Sequence, residues 1–219
     1  MYKFVFLASA IVMASPATAE VITLRYGAPL EIAENGGTDP LFPILSADAV
    51  GTITDLNVFV EGYSHDSWRD VDFVLALQSE DGSTTERAVV LRAEGNLEFD
   101  TESVSDLNLV FDDEAADLVP VSGLTSGTYQ PTDYWDYTAN QVFGDLPISL
   151  SLAEFADGIS ASRQFGLFAF DYFPENGGSF TDWGLEITFE ALDVPAPGML
   201  GLVATVLSVG AFARRRQTR

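Results

Sequence analysis

The sequence predicts an all-β protein, a jelly-roll-like β-sandwich of about eight strands, and three observations point there. Gly, Pro, Asn and Asp recur every eight to fifteen residues and cut the chain into short runs. Several of those runs alternate apolar and polar residues, the period of a strand with one buried face. No long amphipathic helical pattern appears between residues 20 and 197.

Taken in order, Ile53 to Glu61 reads as a strand whose apolar residues mostly alternate. Asp72 to Ser79 follows and is closed by the turn Glu80-Asp81-Gly82-Ser83, from which Glu86 to Arg92 returns as the second arm of a hairpin. Gly82 suits that turn because it adopts positive φ without a Cβ clash. Leu107 to Phe111, Ser149 to Leu152, Phe165 to Phe170 and Trp183 to Phe189 supply further strands. In the last of these, Trp183, Leu185, Ile187 and Phe189 share one face. Asn176-Gly177-Gly178 reads as the turn before it, with glycine again taking positive φ. Short helical turns are expected at Asp113 to Leu118 and at Leu152 to Asp157. Residues 20–49 read as an N-terminal extension of this unit, residues 50–190 as the sandwich itself and residues 191–197 as a linker.

The two ends carry address signals. Lys3 precedes the apolar run Phe4 to Met13, and small residues ending in Ala17-Thr18-Ala19 fit signal peptidase, so residues 1–19 read as a secretory signal and the mature chain begins at Glu20. Residues 198–213 are uncharged and reach about 24 Å as a helix at ~1.5 Å per residue, a marginal span of the membrane. Arg214, Arg215, Arg216 and Arg219 follow at once and hold the tail, residues 214–219, on the cytoplasmic side. A plain single-span anchor fits this pattern too.

Charge narrows the partners. Once the terminal signals are set aside, Arg25, Arg69, Arg87, Arg92 and Arg163 stand against 33 acids, a formal charge of −28. A surface of that sign repels phosphate backbones, which argues against nucleic acid and anionic membrane surfaces as partners. The absence of cysteine rules out disulfides, thiolate metal sites and a cysteine nucleophile.

Two resemblances rest on quoted residues. Val194-Pro195-Ala196-Pro197-Gly198, the apolar segment and the arginine cluster together resemble the PEP-CTERM class of bacterial sorting signals in its Val-Pro-Ala-Pro-Gly variant. The resemblance implies recognition by an exosortase and either retention in the inner membrane or release to the cell surface or extracellular matrix. The second lies within residues 50–190. His65 followed by Asp72 to Ser83, Leu107 to Ala115 followed by Thr128-Tyr129-Gln130-Pro131, and Phe165 to Asp171 followed by Gly178 to Ile187 resemble the P domain (Homo B domain) of proprotein convertases. Glu80 stands where that family has proline, and Phe165 or Leu167 where it has tryptophan. This resemblance implies a non-catalytic sandwich that elsewhere accompanies subtilisin-like peptidases.

No catalytic residue is expected in the chain itself. A Ser-His-Asp triad needs a histidine base, His65 is the only histidine, and no Gly-x-Ser-x-Gly elbow surrounds a serine. His65, inside the polar stretch Ser64-His65-Asp66, reads as structural or solvated. Asp70, Asp72, Asp112, Asp113 and Glu114 are candidate calcium ligands, since a hard cation prefers clustered oxygens, although a solvated acidic surface explains them as well. Tyr134, Trp135 and Tyr137 are candidates for stacking on sugar rings, with packing over one end of the sandwich as the alternative. The expected function is that of a non-catalytic envelope protein acting as a structural or interaction module, with envelope polysaccharide or a surface protein as partner. A calcium- or carbohydrate-binding module and a peptidase accessory domain are the alternatives.

Overall fold

Short strands dominate the computed structural model, which describes residues 18–93, 102–134 and 146–191. In chain order they are β1 (Ala19–Arg25), β2 (Leu30–Ile32), β3 (Ile44–Ser46), β4 (Gly51–His65), β5 (Val71–Gln78), β6 (Thr85–Ala93), β7 (Val104–Phe111), β8 (Asp117–Leu118), β9 (Gly127–Gln130), β10 (Thr132–Asp133), β11 (Ile148–Ser149), β12 (Gln164–Asp171), β13 (Gly178–Phe180) and β14 (Asp182–Ala191). A 3-10 turn covers Trp68–Asp70, and one short helix, α1, covers Leu152–Ala156.

The first sheet runs β1-β14-β4-β7-β9-β8, with β13 beside β4 and β2 beside β13. The second runs β10-β6-β5-β12-β3, with β11 also on the edge of β6. Both sheets are mixed rather than purely antiparallel: β9 runs parallel to β7 and β8, and β10 and β11 run parallel to β6. The expected set of about eight strands thus corresponds to the longer members of a larger set.

One apolar core joins the sheets. Val58, Val60, Leu185 and Ile187 from the first meet Phe73, Leu75, Leu77 and Leu167 from the second. The expected face of β14 is confirmed, with Trp183, Leu185, Ile187 and Phe189 all buried. Full burial of each such side chain stabilises the fold by roughly 1.5–3 kcal/mol before chain entropy is counted. β5 goes further: all eight of its residues are buried, so neither of its faces meets water.

Local chemistry differs from expectation at residues 113–118 and in the turn before β13. Residues 113–118 form a turn and β8 rather than a helical turn, because Asp112 Oδ1 accepts from the Glu114 N–H and holds the chain in an Asx-type turn. Residues 20–49, read as an N-terminal extension of the unit, supply β1 and β2 to the first sheet and β3 to the second. In the turn before β13, the residue at positive φ is Glu175 (φ 73), not a glycine of the Gly177-Gly178 pair. Gly178 is required there for a different reason: any Cβ would collide with the His65 ring and the Ser64 carbonyl.

β1 lies antiparallel to β14 from Ala19 opposite Glu190 to Arg25 opposite Gly184. The Ala191 N–H donates to the Thr18 carbonyl at 3.4 Å, and Ala191 faces Gly51, the first residue of β4. The two ends of the unit spanning residues 18–191 therefore emerge side by side, at the end where β4 begins. His65 closes β4 at the opposite end. Both the expected signal helix and the expected transmembrane helix lie outside the described residues. Among the described residues no helix is long and apolar enough to cross a membrane.

Candidate functional site

The chemistry-bearing side chains concentrate where β4 ends. Along β4 the buried positions first fall on Leu56, Val58 and Val60, then shift phase to Tyr63 and His65. A register shift against β7 between Val60 and Tyr63 causes the change, and Gly62 (φ 66) supplies the conformation it needs. The bulge turns His65 inward.

Once inside, His65 Nδ1 accepts from the Ser67 N–H at 3.1 Å, which places the neutral ring's proton on Nε2. Nε2 faces Asp171 Oδ2 at 3.5 Å, and both side chains are wholly shielded from solvent. The other carboxylate oxygen, Asp171 Oδ1, accepts from the Phe173 N–H at 2.9 Å. Asp171 arrives on the inward phase of β12, after Phe165, Leu167 and Ala169. The pair therefore ties the first sheet to the second through polar atoms.

Asp70, Asp72 and Arg92 complete the cluster. Arg92, 1% exposed, donates to the Val71 carbonyl and, at 3.1 Å, to the Arg69 carbonyl, and its guanidinium lies 4.7 Å from the centre of the Trp68 ring. Asn176 Nδ2 donates to Asp70 Oδ2 at 3.2 Å. Burial raises the Asp70 carboxyl above its ordinary range, a hydrogen bond from Ser67 opposes the rise, and Arg92 lowers it further. Burial likewise holds the Tyr63 phenol protonated far above its usual range, with Asp171, Asp70 and Asp72 adding to the shift. Arg92 thus supplies positive charge among three buried carboxylates and donates to two backbone carbonyls.

These contacts join β4 to β12 and β6 to β5. General acid–base work requires substrate within hydrogen-bond reach of the acid or base, and neither His65 nor Asp171 touches solvent. The burial of His65 sets the solvated alternative aside.

The five candidate calcium ligands divide into two groups. Asp70 and Asp72 belong to the buried cluster at the end of β4, whereas Asp112, Asp113 and Glu114 follow β7, whose Phe111 pairs with Val58. Seven residues of strand, roughly 20 Å at ~3.3 Å each, separate Val58 from His65. Asp113 caps α1, its carboxylate accepting from Ser151 Oγ at 2.8 Å, Leu152 N–H at 3.0 Å and Ala153 N–H at 2.7 Å. Glu114 is raised by its carboxyl contact with Asp112 and by the charge of Asp55. Among the described residues no group of three or more acids or histidines is placed to hold a metal ion.

Tyr134 is 39% exposed and donates its hydroxyl to the Val119 carbonyl at 2.7 Å, while Trp135 and Tyr137 lie outside the described residues. Val194, Pro195, Ala196, Pro197, Gly198 and Arg214, Arg215, Arg216 also lie outside them.

Two surface depressions were not foreseen. One of about 530 Å³ is lined by Glu80, Glu86, Arg87, Ser160 and Arg163, and its arginines are engaged: Arg87 with the Asp157 carbonyl at 3.1 Å, Arg163 with Glu86 and the Gln78 carbonyl, both at 2.6 Å. The other, a shallow hollow of about 720 Å³, is lined by Glu31, Glu34, Ser64, Asp66 and Ser105. Asp171 was missed as well, although a charged residue in phase with three inward apolar residues of a strand is a readable signal.

No family model matches the sequence, and no curated protein matches it. Among solved structures the chain is similar to the serine protease of Aeromonas sobria, in complex with its chaperone ORF2 and alone, at 12% identity in both. The match covers 80% and 81% of this chain and 27% and 28% of those chains, with TM-scores of 0.38 and 0.37. This chain thus spans little more than a quarter of their length.

Proposed function

We propose that the chain is an exported cell-envelope protein whose residues 50–190, with the extension 20–49, form a non-catalytic, P-domain-like structural or interaction module, sorted or held by its PEP-CTERM-type tail. The observation that carries this reading is the pairing of Thr18 with Ala191. A signal removed before Glu20 and a tail leaving after Ala191 then depart from one end of the sandwich. The sealed His65–Asp171 pair supports a non-catalytic role, because the chain's sole histidine is consumed by packing. The strong acidity supports cationic or neutral partners, a surface protein or polysaccharide, over nucleic acid. Signal peptidase and an exosortase act on the chain as processing enzymes.

Fractionation of the native host tests this. The protein is expected in the inner-membrane, surface or matrix fractions and open to proteases added outside the cell. Recovery from the cytoplasm, shielded from such proteases, would overturn the reading.

A further inference from the structure

The scissile bond assigned to signal peptidase lies inside a β-ladder. Ala19 faces Glu190, Glu20 faces Phe189, and Thr18 accepts from Ala191, so the residues on both sides of the Ala19–Glu20 bond are paired with β14. At the far end of β1 the strand is pinned: Arg25 Nη2 lies 2.8 Å from Glu61 Oε1 and its Nη1 lies 3.0 Å from Asp182 Oδ2. The same guanidinium stacks on Phe59 at 4.8 Å. β14, which holds β1 in place, is the last strand of the unit and carries the buried Trp183, Leu185, Ile187 and Phe189 that close the first sheet.

We infer that signal removal and folding are ordered, with cleavage at Ala19–Glu20 confined to the interval before β14 docks between β1 and β4. The inference rests on the export reading above. A chain that emerges N-terminus first presents residues 17–20 long before residues 182–191 exist outside, so β1 has no partner and is extended and accessible to the enzyme. Hydrolysis then consumes one water, breaks the Ala19–Glu20 peptide bond and leaves a carboxylate on Ala19 and an α-amine on Glu20. Once β14 has docked, the same bond is reached only by opening the end of the ladder, and protease access falls by the population of that open form. β14 acts as a timer on processing.

The test uses the full precursor, produced unexported and dissolved in denaturant and detergent. In one arm it is diluted directly into purified signal peptidase. In the other it is folded first and then challenged. A chain ending at residue 181, which lacks β14, is treated in both ways. The expected result is that prior folding slows cleavage of the full precursor by about tenfold or more, the factor that 1.4 kcal/mol of opening free energy gives, and leaves the truncated chain unaffected. Equal cleavage of the full precursor in both arms would overturn the ordering while leaving export intact. Failure of every form to be cut after Ala19 would overturn the export reading and the ordering with it.

Discussion

Replacing Arg92 by methionine tests whether the buried polar cluster is a structural lock. The side chain is 1% exposed, donates to the carbonyls of Val71 and Arg69, stacks on Trp68 and offsets Asp70. Methionine restores much of the volume and none of the charge, so two carbonyls lose a donor and the carboxylates of Asp70, Asp72 and Asp171 lose a buried cation. Breaking a buried charge arrangement from one side costs about 3–5 kcal/mol. A single domain has a total stability of roughly 5–15 kcal/mol, so the loss is a large share of the whole. For a chain of this size each kcal/mol shifts Tm by roughly 2–4 °C, which puts the fall at about 6–20 °C at neutral pH. The sign with pH is also fixed. Arg92 opposes the rise of the Asp70 carboxyl, so without it that carboxyl holds its proton more tightly in the folded state and the variant gains on the wild type as pH falls through the acid range. Thermal melting and urea titration of both proteins across that range measure the gap. A Tm shift under about 2 °C at neutral pH, or a gap that stays constant on acidification, would refute the lock.

Three further outcomes follow from individual contacts. Asp70→Asn leaves stability at neutral pH within about 1 kcal/mol of wild type, because burial already penalises the ionised carboxyl. The folded value lies above 3.8, so the wild type's advantage over this variant is largest below that pH and is lost as pH rises through the raised folded value, as urea midpoints from acid to neutral pH will register. Gly178→Ala drives a methyl group against the His65 ring and the Ser64 carbonyl, and a loss of about 1–3 kcal/mol in thermal unfolding is expected; an unchanged midpoint would contradict that close approach. Asp113→Ala removes the carboxylate that accepts from the first N–H groups of α1, leaves the N-cap Ser151 in place, and lowers stability by about 0.5–2 kcal/mol in denaturant titration, whereas the loss of a bound cation would instead make the difference depend on added calcium.

Strand positions were legible where burial has one period. β14 alternates without interruption, so its inward face followed directly from Trp183, Leu185, Ile187 and Phe189. β5 was legible as a strand but not in its burial: alternation was read over Asp72 to Ser79, whereas all eight residues of β5 are buried. The bulge at Gly62 hid His65, since simple alternation from Val58 and Val60 directs residue 65 outward and its polar neighbours suggest a solvated turn. Pairing partners were not legible at all. β10 and β11 contribute two residues each and owe their places to the edge of β6, a property of the assembled sheet rather than of either dipeptide. The candidate cation ligands did not converge for a related reason: nearness in composition put Asp70 and Asp112 in one class, while half the length of β4, from Val58 to His65, keeps them apart.

Intact-mass and terminal sequencing of the protein isolated from its native host probes the envelope assignment most directly. The expected species begins at Glu20 and ends near Val194 to Gly198, without the apolar segment and the arginine cluster. A chain that starts at Met1 would contradict export, and one that starts at Glu20 but still ends at Arg219 would contradict exosortase processing and leave a simple membrane anchor.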